Sequence, residues 1–318
     1  MRVGVLLPHF GPHSTFERLI DYTPGLEAMG FGSVWVRDNL GFTGGHAFEE
    51  PGDRFVDPFL TLGAIAARTT SLTLGTATII PIRPHAITAQ LVGSLAYLAE
   101  GRLILGVGAG NVPKAFELAG FPIERRFDLV RDMVGVLRAV SVAHAEFHGP
   151  TVDLVDATIS PSPPSDLEIW YGGSTNQSVD RALEYCTGWL PGRCPMAVFD
   201  EKLARLRATP EGRSQKVAIV PVISVGKDRE DAVARVNVPG LLDEARERPA
   251  WRKSGPFDTA DSLEGILIAG SAQDIVDGLC KFKDRGVDEL ILDFRLRMDA
   301  YEDSLEKIAS EVLPHVVD

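Results

Sequence analysis

The sequence predicts a (β/α)8 barrel, the α/β fold in which eight parallel strands are each followed by a helix. Three observations support this. Eight short apolar runs rich in β-branched residues recur along the chain, amphipathic stretches separate them, and 318 residues suffice for one barrel with long loops. We therefore expect residues 1–318 to form one domain. A doubly wound open sheet, built from the same repeating units, is the alternative fold.

The eight predicted strands are apolar on both faces, as expected for parallel strands covered by helices. They are "VGVLL" (3–7), "SVWV" (33–36), "LTLGTATII" (72–80), "RLILGVG" (102–108), "LEIWYGG" (167–173), "YCTGWL" (185–190), "VAIVPVISV" (217–225) and "DELILDF" (288–294). Helices are predicted at residues 14–30, 58–69, 85–99, 124–140, 174–185, 198–208, 228–237 and 272–285. Glycine is frequent just after a helix ends, and three helices are followed in this way, by Gly30, Gly101 and Gly286.

Three connections are longer than a minimal barrel requires. Residues 39–56 follow the second strand, and residues 238–265 follow the seventh strand and its helix. Loops of this length are usually functional, so both are predicted to cover a substrate. Residues 141–166 form a Pro-rich connection from a helix to a strand. That connection lies on the opposite face of a barrel, where we expect no catalytic role.

The composition indicates the cellular compartment and excludes some classes of partner. The net charge is −12 and the pI is about 5.1, which argues against nucleic acid and anionic membranes as partners. No stretch approaches the 18 apolar residues of a membrane span. The three cysteines show no C-x-x-C spacing and are predicted to be free thiols: Cys186, Cys194 and Cys280. We expect a cytoplasmic protein.

The motif "LILGVGAGN" (103–111) raises the question of nucleotide binding. Its glycines alternate, so it lacks the G-x-G-x-x-G spacing of dinucleotide sites, and Pro113 is expected to prevent the helix that such a site needs. A metal-dependent hydrolase is also disfavoured, because His9 and His13 lie four apart and later strands end in Gly, Thr and Trp. No metal site is predicted. No G-x-S-x-G nucleophile motif is present.

Five segments, in order, carry a resemblance to a known family. They are "LEAMGFGSVWVRDNL", "DPFLTLGAIAARTTSLTLGTATIIPIRPHAITAQ", "LAEGRLILGVGAGN", "IWYGGSTNQSVDRALEYCTGWLPG" and "GSAQDIVDGLCKFKDRGVDELILDF". From about residue 1 to 294 the chain resembles the bacterial luciferase-like family of flavin- and deazaflavin-dependent oxidoreductases. That family is a TIM barrel, which agrees with the prediction from periodicity.

The resemblance implies a cofactor site at the carboxyl ends of the strands. Glycines there remove side chains where a flat ring approaches the backbone. The alternative for the most buried of them, Gly106, is tight packing of the barrel. The resemblance also implies a non-prolyl cis peptide between Ala77 and Thr78, and a phosphate held by Gly173 and Ser174, although Ser174 alone is also a plausible helix N-cap. The predicted cofactor residues are Thr76, Ala77, Thr78, Gly108, Asn111, Tyr171, Gly172, Gly173 and Ser174.

The candidate catalytic residues are His9, Asp38 and Asn39. His9 has a side chain suited to acid–base chemistry, and Asp38 either contacts the cofactor or orients its loop. Deazaflavin dehydrogenases similar to this chain carry an Asp-His pair where Asn39 stands, and an amide cannot exchange a proton near neutral pH. Substrate-loop candidates are His46, Arg193 and Trp251, and further side chains near the mouth by position are Arg83, His85, Arg295 and Arg297.

The resemblance implies an oxidoreductase whose chemistry belongs to the bound cofactor. The missing histidine favours a monooxygenase that uses reduced FMN and O2 on a small organic substrate, with a flavin reductase as its supplier of reduced cofactor. Hydride transfer with coenzyme F420 is the alternative, and a non-catalytic flavin-binding or partner subunit is a third. Association into a homo-oligomer is expected from the family.

Overall fold

A computed structural model describes residues 1–40 and 54–317. Its eight barrel strands, β1 to β8, are Arg2–Leu6, Ser33–Val36, Thr73–Thr76, Leu103–Val107, Glu168–Gly172, Gly188–Leu190, Lys216–Ile219 and Glu289–Asp293. Each strand pairs in parallel with the next, and β8 pairs with β1 in a register that joins Arg2 to Glu289 and Leu6 to Asp293. The sheet is therefore closed. This confirms the predicted barrel and rules out the open sheet.

Helices cover the outside of the barrel. Helices α1 to α13 are Thr23–Ala28, Pro58–Ala66, His85–Leu98, Pro113–Ala119, Arg126–Ala139, Asn176–Tyr185, Met196–Arg207, Pro210–Ser214, Arg229–Ala234, Val238–Glu247, Ala272–Lys283, Tyr301–Glu311 and Leu313–Val316. Shorter helical turns are a π-helix at Glu17–Asp21 and 3-10 turns at Ile123–Arg125, Pro249–Ser254, Ala260–Leu263 and Met298–Ala300. Within the described part of the chain, no helix combines the length and apolarity needed to cross a bilayer.

The predicted seventh strand, residues 217–225, is two strands. Pro221 lacks an N–H group and separates β7 from a second strand at Val222–Val225. That second strand pairs with Leu267–Gly270, a four-residue strand that was not predicted. Residues 141–166 also contain an unpredicted antiparallel hairpin, Ala145–Gly149 with Val152–Ala157.

Two helix predictions were wrong in detail. The predicted helix at residues 14–30 divides into the π-turn and α1, which begins at the Thr23-Pro24 pair. Pro113 was expected to prevent a helix, yet it is the first residue of α4. Proline is tolerated there because the first turn of a helix has no internal acceptor for its N–H groups.

The barrel interior is filled by a small apolar cluster that includes Trp35 and Trp170, whose ring centroids lie 5.7 Å apart. Glycines on the neighbouring strands make room for these indoles. A Cβ atom on Gly75 would lie 2.2 Å from the Trp35 ring, and one on Gly188 would lie 2.4 Å from the Trp170 ring. The interior below the carboxyl-terminal face is therefore packed by side chains, and any large ligand must bind above it.

We expect Gly75→Ala to lower the free energy of unfolding by about 1 to 3 kcal/mol, because the new methyl group overlaps the Trp35 ring. Gly63→Ala is the matched control. A Cβ atom on Gly63, within α2, meets no atom within 4 Å, so the change should be neutral or stabilising by up to about 1 kcal/mol. Urea unfolding measures both. Equal effects of the two substitutions would contradict the packing argument.

Candidate functional site

A cavity of about 960 Å³ opens at the carboxyl ends of the barrel strands. Eleven of the residues predicted for the site line it, and they come from four different strand ends and from the segment after α10. These residues are Asp38, Asn39, Ala77, Thr78, Gly108, Asn111, Tyr171, Gly172, Gly173, Ser174 and Trp251. Residues that were predicted from the sequence to form one site therefore line one cavity.

The floor of the cavity is a backbone bulge that follows β3. The Ala77–Thr78 peptide is cis, as the resemblance implied. The Ala77 N–H donates to Val36 O at 2.7 Å, and the Ile79 N–H donates to Gly106 O at 2.8 Å. The chain thus leaves β3 while remaining hydrogen-bonded to both neighbouring strands.

Glycines on the two next strands make space for this bulge. A Cβ atom on Gly108 would lie 2.5 Å from Thr78 Oγ1, and one on Gly172 would lie 2.7 Å from Thr78 Cγ2. The two glycines are required by the packing of Thr78, and they also leave main chain without side chains at the floor. Thr76 is fully buried below, and its hydroxyl donates to Gly106 O at 2.8 Å, so it does not line the cavity.

A buried ion-pair network fixes the bulge from the side of β2. The Arg83 guanidinium donates to both oxygens of Asp38, at 2.7 and 2.9 Å, and to Asp57 Oδ2 at 3.0 Å. The Ile80 N–H also donates to Asp38, at 3.1 Å. Burial raises the pKa of Asp38, and the hydrogen bonds and charge of Arg83 oppose that rise. Of the two roles left open for Asp38, the contacts support orientation of the loop.

The turn between β5 and α6 differs from the predicted phosphate cradle in two respects. The Gly173 N–H is already used, because it donates to Leu190 O at 3.1 Å. The N-cap of α6 is Thr175, whose hydroxyl accepts from the Ser178 N–H at 3.1 Å, and not Ser174. Within residues 1–40 and 54–317 no acceptor is found for the N–H groups of residues 174–177, so the free donors begin at Ser174.

The side of the cavity next to this turn carries two arginines that sequence reasoning missed. Arg126, at the start of α5, and Arg181, on α6, lie on the Phe127 ring, with guanidinium carbons 4.4 and 4.0 Å from its centroid. Both arginines line the cavity, and among the described residues neither has a carboxylate within 4 Å. Stacking orders the two cations without neutralising them, which produces a site suited to an anion.

Another part of the wall comes from the second predicted insertion. Trp251 is 1% exposed and donates from Nε1 to Ser174 Oγ at 3.1 Å. Arg193, a predicted substrate residue, does not line the cavity. It donates to Glu244 at 2.6 Å, and Glu244 is a lining residue of α10.

A family model described as luciferase-like monooxygenase matches residues 1–289. The chain belongs to the luciferase-like monooxygenase family. This confirms the resemblance drawn from the five sequence segments, and it makes the protein a member of a family of flavin- and F420-dependent oxidoreductases.

Relatives of known and unknown activity match the chain. An uncharacterised protein of Mycobacterium tuberculosis is 28% identical over 244 residues, which span 72% of this chain and 84% of the relative. The F420-dependent hydroxymycolic acid dehydrogenase of the same organism is 30% identical over 193 residues, spanning 59% of this chain and 52% of that protein.

Solved structures share the fold. An F420-dependent secondary alcohol dehydrogenase bound to an F420–acetone adduct superposes with a TM-score of 0.76 at 19% identity, covering 100% of this chain and 99% of its own. The FMN-bound oxygenating constituent of 3,6-diketocamphane monooxygenase from Pseudomonas putida gives the same TM-score at 17% identity, with coverage of 100% and 99%. The fold is therefore common to proteins that hold either cofactor.

The two histidines predicted for the site of this luciferase-like protein remain to be placed. His46 lies outside the described residues. His9 is fully buried, its Nδ1 lies 2.9 Å from Leu7 O, and its Nε2 accepts the Arg37 N–H at 2.8 Å. Both ring nitrogens are engaged, which corresponds to a neutral ring protonated on Nδ1. The catalytic role predicted for His9 disagrees with this geometry, which is that of a structural residue.

We expect the His9 ring to stay neutral from pH 8 down to pH 4. Burial lowers its pKa from 6.5 to about 3, and the nearby Arg37 charge acts in the same direction. Because the unfolded chain takes up a proton near pH 6.5 and the folded chain does not, this residue lowers the stability as the pH falls from 6.5 toward 3.

Nitrogen-15 chemical shifts of the ring, followed against pH, measure its protonation directly. A midpoint for His9 between pH 6 and 7 would restore it as an acid–base candidate.

Proposed function

We propose that this protein is a coenzyme F420-dependent oxidoreductase that works as a reductase on a small organic substrate. The observation that carries the proposal is a pair of cations, Arg126 and Arg181. No described carboxylate neutralises their charge, and they lie beside a cavity floor of main chain without side chains. When bound, the deazaflavin supplies the hydride chemistry, while the protein supplies position, charge and exclusion of water.

The lining of the cavity fits a flat ring with an anionic tail. The cis bulge at Ala77 and Thr78, with Gly108 and Gly172, offers a surface from which side chains are excluded by packing. The Ser174 hydroxyl and the free N–H groups at the start of α6 suit a phosphate, which the positive end of the helix also attracts. The residues present therefore fit the ring and the first anionic group of either flavin cofactor.

The two arginines favour the deazaflavin of the two cofactors. FMN ends at its phosphate, whereas coenzyme F420 carries carboxylates beyond it, and each added anion gains from pairing with a guanidinium. The name of one relative supports the same choice, since the hydroxymycolic acid dehydrogenase is described as F420-dependent, although the chain spans only about half of that protein.

The direction of reaction follows from the proton donors and acceptors of the cavity. Oxidation of an alcohol requires a base for the hydroxyl proton. No histidine lines the cavity within the described residues, Asn39 is an amide, and the carboxylates of Asp38 and Glu244 are held by arginines. The remaining lining carboxylate, Glu247, is exposed at the last residue of α10 and is not desolvated as a strong base would be. Delivery of a hydride to an electron-poor carbon needs no such base, because water can supply the proton afterwards. We therefore favour reduction.

A monooxygenase that uses reduced FMN is the second candidate. Asn39 favours it, since the resembling deazaflavin dehydrogenases have a histidine at that position. In that case a separate flavin reductase would have to supply the reduced cofactor. Whether the protein forms a homo-oligomer stays a prediction for light scattering.

We expect coenzyme F420 to quench the intrinsic tryptophan fluorescence with a dissociation constant at least about 10-fold below that of FMN, since only F420 uses both arginines. Titrations with each cofactor, oxidised and reduced under anaerobic conditions, measure this. To test reduction of a substrate, enones or imines are added to the protein with reduced F420, and the appearance of oxidised F420 is followed. Tight binding of FMN alone, with substrate-dependent oxygen consumption, would replace the proposal by the monooxygenase, and binding without turnover would indicate a non-catalytic protein.

We expect Arg126→Ala and Arg181→Ala each to weaken F420 binding about 10-fold and to reduce its dependence on salt, because each removes one charge from the anion site. Arg131→Ala is the matched control. It lies on the same helix as Arg126, is paired with Asp128 and Asp132, does not line the cavity, and should leave the dissociation constant unchanged. Titration of all three variants at low and high salt measures the effect. An equal loss in all three would show that the tail does not reach these arginines.

A further inference from the structure

Trp251 connects the second insertion to the turn that carries the free N–H donors. We call residues 238–254, which comprise α10 and the following 3-10 turn, the cover segment. Trp251 is the buried residue of that 3-10 turn, and its indole N–H reaches across 77 positions of sequence to Ser174 Oγ at 3.1 Å. A single hydrogen bond thus joins a wall of the cavity to the proposed anion-binding turn.

The indole is held in place by charged neighbours. The Arg248 guanidinium carbon lies 4.5 Å from the centroid of its ring, and Arg248 is paired with Glu244. Glu244 in turn accepts from Arg193, which lies 3.7 Å from Asp293 at the end of β8. The cover segment is therefore tied to the barrel through one chain of ion pairs, and Trp251 is presented to Ser174 from a fixed position.

The chemistry of the bond determines what Ser174 can do. An indole N–H only donates, so Ser174 Oγ must be the acceptor, and the single hydroxyl hydrogen stays available for another partner. No acceptor for that hydrogen is found within the described residues, and Ser174 lines the cavity. An oxygen that already accepts one hydrogen bond also becomes a stronger donor.

We propose that Trp251 is a positioning residue of the coenzyme site, which acts through Ser174 to aim a hydroxyl donor at the anionic group of the coenzyme. The inference deepens the proposed function, because it requires an anionic coenzyme at the turn. Binding is reciprocal: the coenzyme strengthens the Trp251 to Ser174 bond, and this bond holds the cover segment over the cavity. The coenzyme and the cover segment therefore stabilise each other.

The test is a double-mutant cycle on coenzyme affinity. We expect Trp251→Phe, which keeps an aromatic ring and removes the donor, to weaken F420 binding about 5- to 10-fold, and Ser174→Ala about 10-fold or more. The double variant should bind like Ser174→Ala alone, since the indole then has no hydroxyl to orient. Trp170→Phe is the matched control: its indole donates to Glu168 at the other end of the barrel, so F420 affinity should not change.

Hydrogen exchange provides a second measurement that does not require the Trp251 variant to fold. In the wild-type chain F420 should slow exchange in residues 238–254, and in Ser174→Ala it should not. Two results would overturn the inference: additive losses of F420 affinity in the double-mutant cycle, or hydrogen exchange in the cover segment that does not change when F420 binds. Failure of the wild-type chain to bind either F420 or FMN would instead overturn the proposed function.

Discussion

The site depends on one packing constraint, the seating of Thr78 between two strand ends that carry no side chains. Because a Cβ atom on Gly108 or Gly172 would overlap the Thr78 side chain, either substitution would force Thr78 or the bulge after β3 to shift. The same absence of side chains leaves an open floor above the packed indoles of the barrel interior. The packing of Thr78 thus leaves a surface that can bind a flat ring. Gly108, in the motif that suggests a phosphate loop, is explained by this packing.

Charge is distributed unevenly in this acidic chain. The net charge is −12, yet the side of the cavity next to α6 presents two arginines that no described carboxylate neutralises. Elsewhere around the cavity Asp38 and Glu244 are held in ion pairs with Arg83 and Arg193, whereas Glu247 has no ion pair among the described residues. The paired groups hold loops in position, and the stacked arginines would attract an anion. An overall negative surface repels anions in general, so selection for an anionic ligand must occur at short range.

Much of the fold could be predicted from the sequence because buried parallel strands are apolar on both faces and recur with the helices between them. What was missed has local causes. Pro113 starts a helix that proline in the interior would have broken. The site residues were found where strand ends converge. Arg126 and Arg181 were not, since an arginine on an amphipathic helix has the same pattern whether it faces water or a cavity. The Gly173 N–H was misjudged because its partner, Leu190, is far away in sequence.

The division between a rigid floor and a separately anchored cover explains how one family can hold different chemistries on one barrel. Residues that define the floor are constrained by packing, since a single methyl group at Gly108 or Gly172 disturbs the bulge. The cover segment buries Leu241, Leu242 and Ala245 in the apolar core. It is also joined to the barrel by polar contacts between side chains, from Trp251 to Ser174 and from Glu244 to Arg193. Such contacts tolerate exchange of the surrounding residues, provided that the donors and acceptors remain matched. We therefore expect side chains of the cover segment to vary more readily than the glycines of the floor, except Trp251, whose bond to Ser174 belongs to the proposed coenzyme site.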